Sequence, residues 1–131
     1  MSSKHDPCDS LRHIIDNAET VARNLDGLDQ HTFQRSAWAA AATERHIERV
    51  CEACFRLGDR AEELMPGQPW ADIRGMGNRL RHAYDAIDVR VVWETAKLNL
   101  PQLAIAAKLA LERLTAKQAH ADEPAATRKR P

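Results

Sequence analysis

No stretch of about 18 consecutive apolar residues occurs in this chain, so no part of it is long enough to cross a bilayer as a helix. The opening residues, Met1-Ser2-Ser3-Lys4-His5-Asp6-Pro7-Cys8, lack the apolar centre of a secretory signal. Cysteine is scarce. Three thiols are an odd number for a disulfide framework, and they fit a reduced, cytoplasmic setting. Net charge is missing as well, with 19 Lys+Arg against 19 Asp+Glu. Arg128, Lys129 and Arg130 hold three of those positives, so a chain at +0 stands at −3 without them. That balance excludes a broad basic surface gripping nucleic acid by counterion release, and any polyanion site must be a local cluster. A Gly-rich phosphate loop, HExxH and GxSxG are all absent. Strand formers are few.

What is plentiful is Ala, Leu, Arg and Glu, in 131 residues, about the length of one domain. A chain of that size buries roughly two-thirds of its surface on folding, enough for a core without covalent staples. The composition is that of an all-α protein.

Residues 1–8 read as a flexible N-terminus. From Asp9 or Ser10, either able to cap, apolar residues recur as Leu11, Ile14, Ile15, Ala18, Val21, Ala22 and Leu25, one face of a helix that Gly27 can stop. Asp29 can cap a second helix running to about Leu57, with the stripe Phe33, Ala37, Ala40, Ala41, Glu44, Ile47, Val50, Cys51 and Cys54. Gly58 ends or bends it, and a short piece continues to Met65. Met65-Pro66-Gly67-Gln68-Pro69 is the clearest break. A third helix is expected from Trp70 to about His82, then a short one capped by Asp88. Asn99 can cap the last, with Pro101 tolerated in its first turn. Its inner face is Leu100, Leu103, Ala107, Leu111 and Leu114. The expected organisation is a helical domain over 9–117 followed by a disordered basic tail over 118–131. Short connections favour an antiparallel up-and-down bundle.

Several signals have plain explanations. Cys51-x-x-Cys54 sits on an apolar stripe with no second ligand pair, whereas zinc needs about four converging ligands. Buried structural thiols are expected there, and no metal. Glu44 interrupts the same stripe, with Arg45, His46 and Glu52 near it. Either Glu44 is partly solvated or paired with an arginine at the bundle edge, or Arg45, His46 or Glu52 faces a site shared with the third helix. Spacing does not separate these.

The unusual stretch runs from Ile73 to Asp85. It places two glycines, Gly75 and Gly77, in a helical window, each costing about 1 kcal/mol against alanine, as if a backbone had to come close. Arg74, Arg79 and Arg81 surround His82, and the only tyrosine, Tyr84, follows. Such a cluster could hold a phosphodiester, with the imidazole as acid or base and arginine stabilising charge at phosphorus. A solvated, salt-bridged helix end uses the same residues. Chemistry alone leaves both readings open.

The segment Trp70-Ala-Asp-Ile-Arg-Gly-Met-Gly-Asn-Arg-Leu-Arg-His-Ala-Tyr84, with Ile87-Asp88, Val92-Trp93 and Asn99-Leu-Pro-Gln-Leu103, resembles the HepT-like toxins of the HEPN superfamily. The resemblance covers roughly residues 9–115. It implies an α-helical homodimer whose paired Arg-x4–6-His-x-Tyr motifs line a cleft, acting as a ribonuclease that needs neither metal nor cofactor. It further implies a toxin–antitoxin pair in which a minimal nucleotidyltransferase transfers AMP to the motif tyrosine. Carried over, His82 is the acid/base, Tyr84 the AMP acceptor, Arg74 or Arg79 the phosphate holder, and Asn78 and Arg81 contact RNA. One imidazole is ill suited to be acid and base in one step, which gives dimerisation a chemical reason. The motif arginine belongs at positions 75–77, where this chain has Gly75, Met76 and Gly77. Two alternatives therefore stand beside the ribonuclease: an inactive module binding a nucleotidyltransferase or nucleotide, in which Gly77→Arg would restore activity, and a helical interaction protein whose Arg74–Tyr84 cluster builds a subunit interface.

Overall fold

A computed structural model describes residues 6–82 and 87–121. The first helix, α1 (Pro7–Leu25), starts a turn ahead of the position expected from Asp9 or Ser10. Asp6 is the cap, its carboxylate accepting the Cys8 N–H at 3.0 Å, and Pro7 occupies a first-turn position that needs no N–H. The reason is burial. Cys8 is only 3% exposed and Ser10 is buried too, so the first turn belongs to the core, while Asp9 pairs outward with Arg12. Leu11, Ile14, Ile15, Ala18, Val21 and Leu25 form the buried face, and Ala22 falls outside it. The stop follows at Gly27, whose φ of +85° suits glycine alone among common residues.

The helix expected from Asp29 to Leu57 is two. In α2 (Gln30–Gln34), Asp29 and Thr32 form a reciprocal capping box, and the chain turns at Arg35. Ser36 then caps α3 (Ala37–Leu57) by accepting the Ala39 N–H at 3.0 Å. The turn lets Phe33 point fully into the core, its ring centroid 5.1 Å from that of Trp93. It also resets the helical phase. The inward face of α3 is Thr43, Ile47, Val50, Cys51, Ala53, Cys54 and Leu57, while Ala37 and Ala41 of the expected stripe lie exposed.

Next come α4 (Arg60–Leu64) and the Pro-Gly turn, and then α5 (Trp70–His82), whose start matches the expectation. The Trp70 indole N–H donates to the Met65 carbonyl at 3.0 Å with both residues buried, which pins the start of α5. Asp88 caps α6 (Val89–Glu94) as expected. Asn99 caps nothing. Instead α6 passes through a π turn over Thr95–Asn99, where the Leu100 N–H bonds the Thr95 carbonyl, straight into α7 (Leu100–Ala121). The wide turn accommodates Pro101, which has no N–H to donate and whose ring needs room behind it. α7 continues four residues past the expected end of the ordered domain at Lys117.

The core is shared by α1, α3 and α7, with α1 packed against both of the others. α5 lies on α3, and α2 bridges α3 and α6. Among the described residues there is no strand, and no helix is long and apolar enough to cross a membrane.

Candidate functional site

The contact between α5 and α3 fixes which way every polar side chain of α5 points. At its centre is Gly77, where an added Cβ would stand 2.9 Å from Cys51 Cβ. One turn earlier, the Cys51 thiol donates to the Ile73 carbonyl at 3.6 Å. The close backbone approach anticipated from the two glycines is thus the work of Gly77. Gly75 has no atom within 4 Å of the place its Cβ would take. This overturns the idea that Gly77→Arg restores a lost site residue, because position 77 is buried in the helix contact.

With Gly77 inward, the arginines divide between two hollows. Arg74, Asn78 and Arg81 border a cavity of about 470 Å3 between the end of α3, α4 and α5. Arg79 borders another, of about 410 Å3, between α5, the π turn and α7. His82 is the last described residue of α5 and is exposed, one turn beyond Arg79 on the same side of the helix. Arg74 holds a long exposed ion pair with Glu62 at 3.6 Å. Among the described residues, Arg79 and Arg81 pair with no carboxylate. Tyr84 lies outside the described residues.

The three α3 residues considered as neighbours of this site separate. His46 turns to α1, where its Nδ1 donates to Asn17 Oδ1 at 2.9 Å, while the Asn17 amide nitrogen donates to the His13 carbonyl. Burial, with help from Arg49 and Arg45, holds its pKa below 6.5. Glu52 pairs along its own helix with Arg56 at 3.6 Å. Only Arg45 borders α5: it pairs with Glu48 at 3.2 Å beside a third hollow that Glu44, Leu80 and Val89 also line. Glu44 has no ion pair among the described residues, and burial pushes its carboxyl upward.

Cys51 and Cys54 are buried thiols, as anticipated, and desolvation pushes them up to about 11 and about 12. Thiols so raised are poor nucleophiles at neutral pH.

One side chain escaped sequence reasoning. Phe55 is 72% exposed, and the Arg81 guanidinium lies 5.6 Å from its ring centroid. The signal was partial: an aromatic at 55 sits at the edge of the α3 stripe that Cys51 and Cys54 define.

Comparison with known proteins follows the same outline. Residues 14–110 match a family described as Ribonuclease HepT-like. A protein named "Putative RNase" from Caldanaerobacter subterraneus subsp. tengcongensis is 29% identical over 93 residues, 71% of this chain and 83% of the relative. Another "Putative RNase", from Methanocaldococcus jannaschii, is 28% identical over 101 residues, 77% of this chain and 93% of the relative. The "Probable ribonuclease HepT" of Thermococcus cleftensis is 37% identical over 62 residues, covering 47% of this chain and 56% of its own. No solved structure matches the chain.

Proposed function

From the premise that this chain belongs to the HepT-like ribonuclease family, we propose that it is an RNA-cleaving toxin working without a metal, with His82 as its proton-transfer group. The observation that carries this reading is the end of α5. An exposed imidazole is followed back along the helix by Arg79 on its own side and by Arg81 and Arg74 on the next, two of the three without a carboxylate among the described residues. The chain is neutral overall, so a phosphodiester would be held here and not on a general basic surface.

In this reading the ribose 2′-oxygen attacks phosphorus and its proton passes to one His82 imidazole. The 5′-oxygen leaves with a proton from a second, protonated imidazole, giving a 2′,3′-cyclic phosphate and a 5′-hydroxyl. Arg79, one turn from His82, offsets the extra charge on phosphorus as the fifth bond forms, while Arg74 holds a neighbouring backbone phosphate. Two imidazoles in opposite protonation states call for two chains. The active form is accordingly a homodimer of HEPN-like antiparallel bundles, with the α5 ends facing one cleft. A minimal nucleotidyltransferase antitoxin would place AMP on Tyr84, adding bulk and negative charge that oppose RNA entry. The toxin acts in the cytoplasm.

The test is cleavage of bulk transfer RNA in EDTA, on protein shown by mass spectrometry to carry no AMP. The parent should cut and His82→Ala should lose about 10²- to 10⁴-fold in rate. Cleavage that survives His82→Ala refutes the assignment.

One observation favours the inactive module. No arginine stands at positions 75–77. Position 75 is open and lies two turns before His82 on its side of the helix, so Gly75→Arg is the substitution that can be built. Under the inactive-module reading the parent is silent and Gly75→Arg cuts RNA.

A further inference from the structure

We propose that the hollow beside Phe55 is a nucleotide subsite of the RNA-binding surface, in which an unstacked base lies on the Phe55 ring and the backbone phosphate is held by Arg81 and Arg74. The proposal rests on the ribonuclease reading above and assigns it a substrate contact.

Among the described residues, Phe55 takes no part in the core and meets only the Arg81 guanidinium as a ring contact. It projects from the edge of the apolar stripe of α3, 72% exposed, while its neighbours Cys54 and Leu57 carry the core contacts. An isolated exposed aromatic is ordinary, but this one borders a cavity of about 470 Å3 whose composition is particular. The deep lining is apolar, with Cys54, Ala61 and Trp70. The rim is two arginines and an amide, Arg74, Asn78 and Arg81, from successive turns of one helix. An apolar floor under a cationic rim suits a flat heterocycle joined to an anion. A protein side chain would seldom need both.

Arg81 links the two parts. Its guanidinium lies 5.6 Å from the Phe55 centroid, and its Nη1 passes over Gly77, 3.6 Å from where a Cβ would be. The side chain is therefore laid across the α3–α5 contact, where a larger residue at 77 would displace it. The guanidinium lies over one face of the ring as a cation–π contact, its N–H edge can still donate to a phosphate, and a base would stack on the opposite face. Arg74 meets Glu62 at 3.6 Å, exposed on both sides, a pair easily exchanged for a phosphate oxygen. Asp59, the one carboxylate in the lining, repels phosphate but accepts from the N–H groups on a base edge, and the Asn78 amide can read the same edge. These residues run up to His82, with Arg74 about 12 Å from it along α5. The subsite adjoins the scissile position.

The experiment uses the full chain carrying His82→Ala, so that RNA is bound and not cut. Fluorescence anisotropy follows a short fluorescein-labelled single-stranded RNA of mixed sequence and its counterpart with abasic riboses. Phe55→Leu should weaken the intact RNA roughly tenfold, Phe55→Trp should keep or improve it, and Phe55→Leu should leave the abasic strand unchanged. Unchanged affinity for intact RNA in Phe55→Leu overturns the subsite, while His82-dependent cleavage in EDTA keeps the ribonuclease reading intact. Equal weakening of intact and abasic strands, or an altered sedimentation coefficient in Phe55→Leu, makes Phe55 a structural or subunit contact and also overturns it. A parent that neither binds nor cuts RNA removes the ribonuclease reading and the subsite together.

Discussion

Two alanine substitutions, two positions apart in α5, should change stability in opposite directions. At Gly75 nothing lies within 4 Å of the new Cβ, so Gly75→Ala gains only the helix-propensity difference, about 1 kcal/mol of stabilisation. At Gly77 the same gain meets a Cβ–Cβ distance of 2.9 Å to Cys51. That atom is fixed to the α3 backbone and has no torsion with which to retreat. Ordinary contact begins near 3.4 Å, so the helices must part by about half an ångström, loosening the Cys51 bond to Ile73 on the way. Overpacking of this kind costs about 1–3 kcal/mol, which leaves Gly77→Ala between neutral and about 2 kcal/mol less stable. The two variants should therefore differ by about 1–3 kcal/mol, read as separated urea midpoints by circular dichroism. Cys51→Ala keeps the offending Cβ and should not relieve Gly77→Ala. Cys51→Gly removes it, and a double-mutant cycle should show the coupling. If Gly77→Ala is stabilised as much as Gly75→Ala, α5 does not cross α3 at this point and the division of its arginines between two hollows falls.

Glu44 supplies a pH-dependent test. Burial raises its pKa in the fold, so its protonated form favours folding: the stabilisation is complete below the ordinary value of 4.5 and lost as pH rises through the folded value. Glu44→Gln should hence raise the urea midpoint at pH 7 and have little effect well below pH 4.5, and an equal shift at both pH values would refute the argument. For the thiols, burial of Cys8, Cys51 and Cys54 predicts almost no reaction with a thiol reagent at pH 8 until denaturant is added, when all three should react. A fast-reacting Cys51 or Cys54 in the folded protein would contradict the packing of α3, and a fast-reacting Cys8 the burial of the first turn of α1.

The sequence spoke most clearly where one force acted alone. The α1 stripe, apart from Ala22, and the helix start at Trp70 follow from apolar spacing and a Pro-Gly break, and both stand. Spacing was silent where a local bond competed with helix continuation. Ser36 could extend a helix or cap a new one, and the burial of Phe33 decided it. Asn99 and Pro101 read as a helix start, yet the chain kept its helix by widening one turn. The polar cluster of α5 was visible as composition, whereas its partition depended on which glycine faced α3, and no periodicity distinguishes Gly75 from Gly77. Phe55 lies one turn from Cys51 at the edge of the apolar stripe, where spacing alone does not separate a buried ring from an exposed one.

The π turn at Thr95–Asn99 bears on how this fold can change its length. Buried Val92, Ala96 and Leu100 succeed one another at steps of four, a spacing that drifts by about 40° a step in an ordinary α-helix and is absorbed by a wider turn. The helix here contains one residue more than a regular α-helix joining the same ends. Deleting a residue just after the turn, at the start of α7, would swing everything beyond it by about 100° and pull Leu103, Ala107 and Ala110 out of the core. Deleting one within 95–99 would only tighten the turn and keep the phase, provided Pro101 were also replaced, since a tight turn has no room for its ring. The segment is a spare link in the chain, and the proline keeps it open.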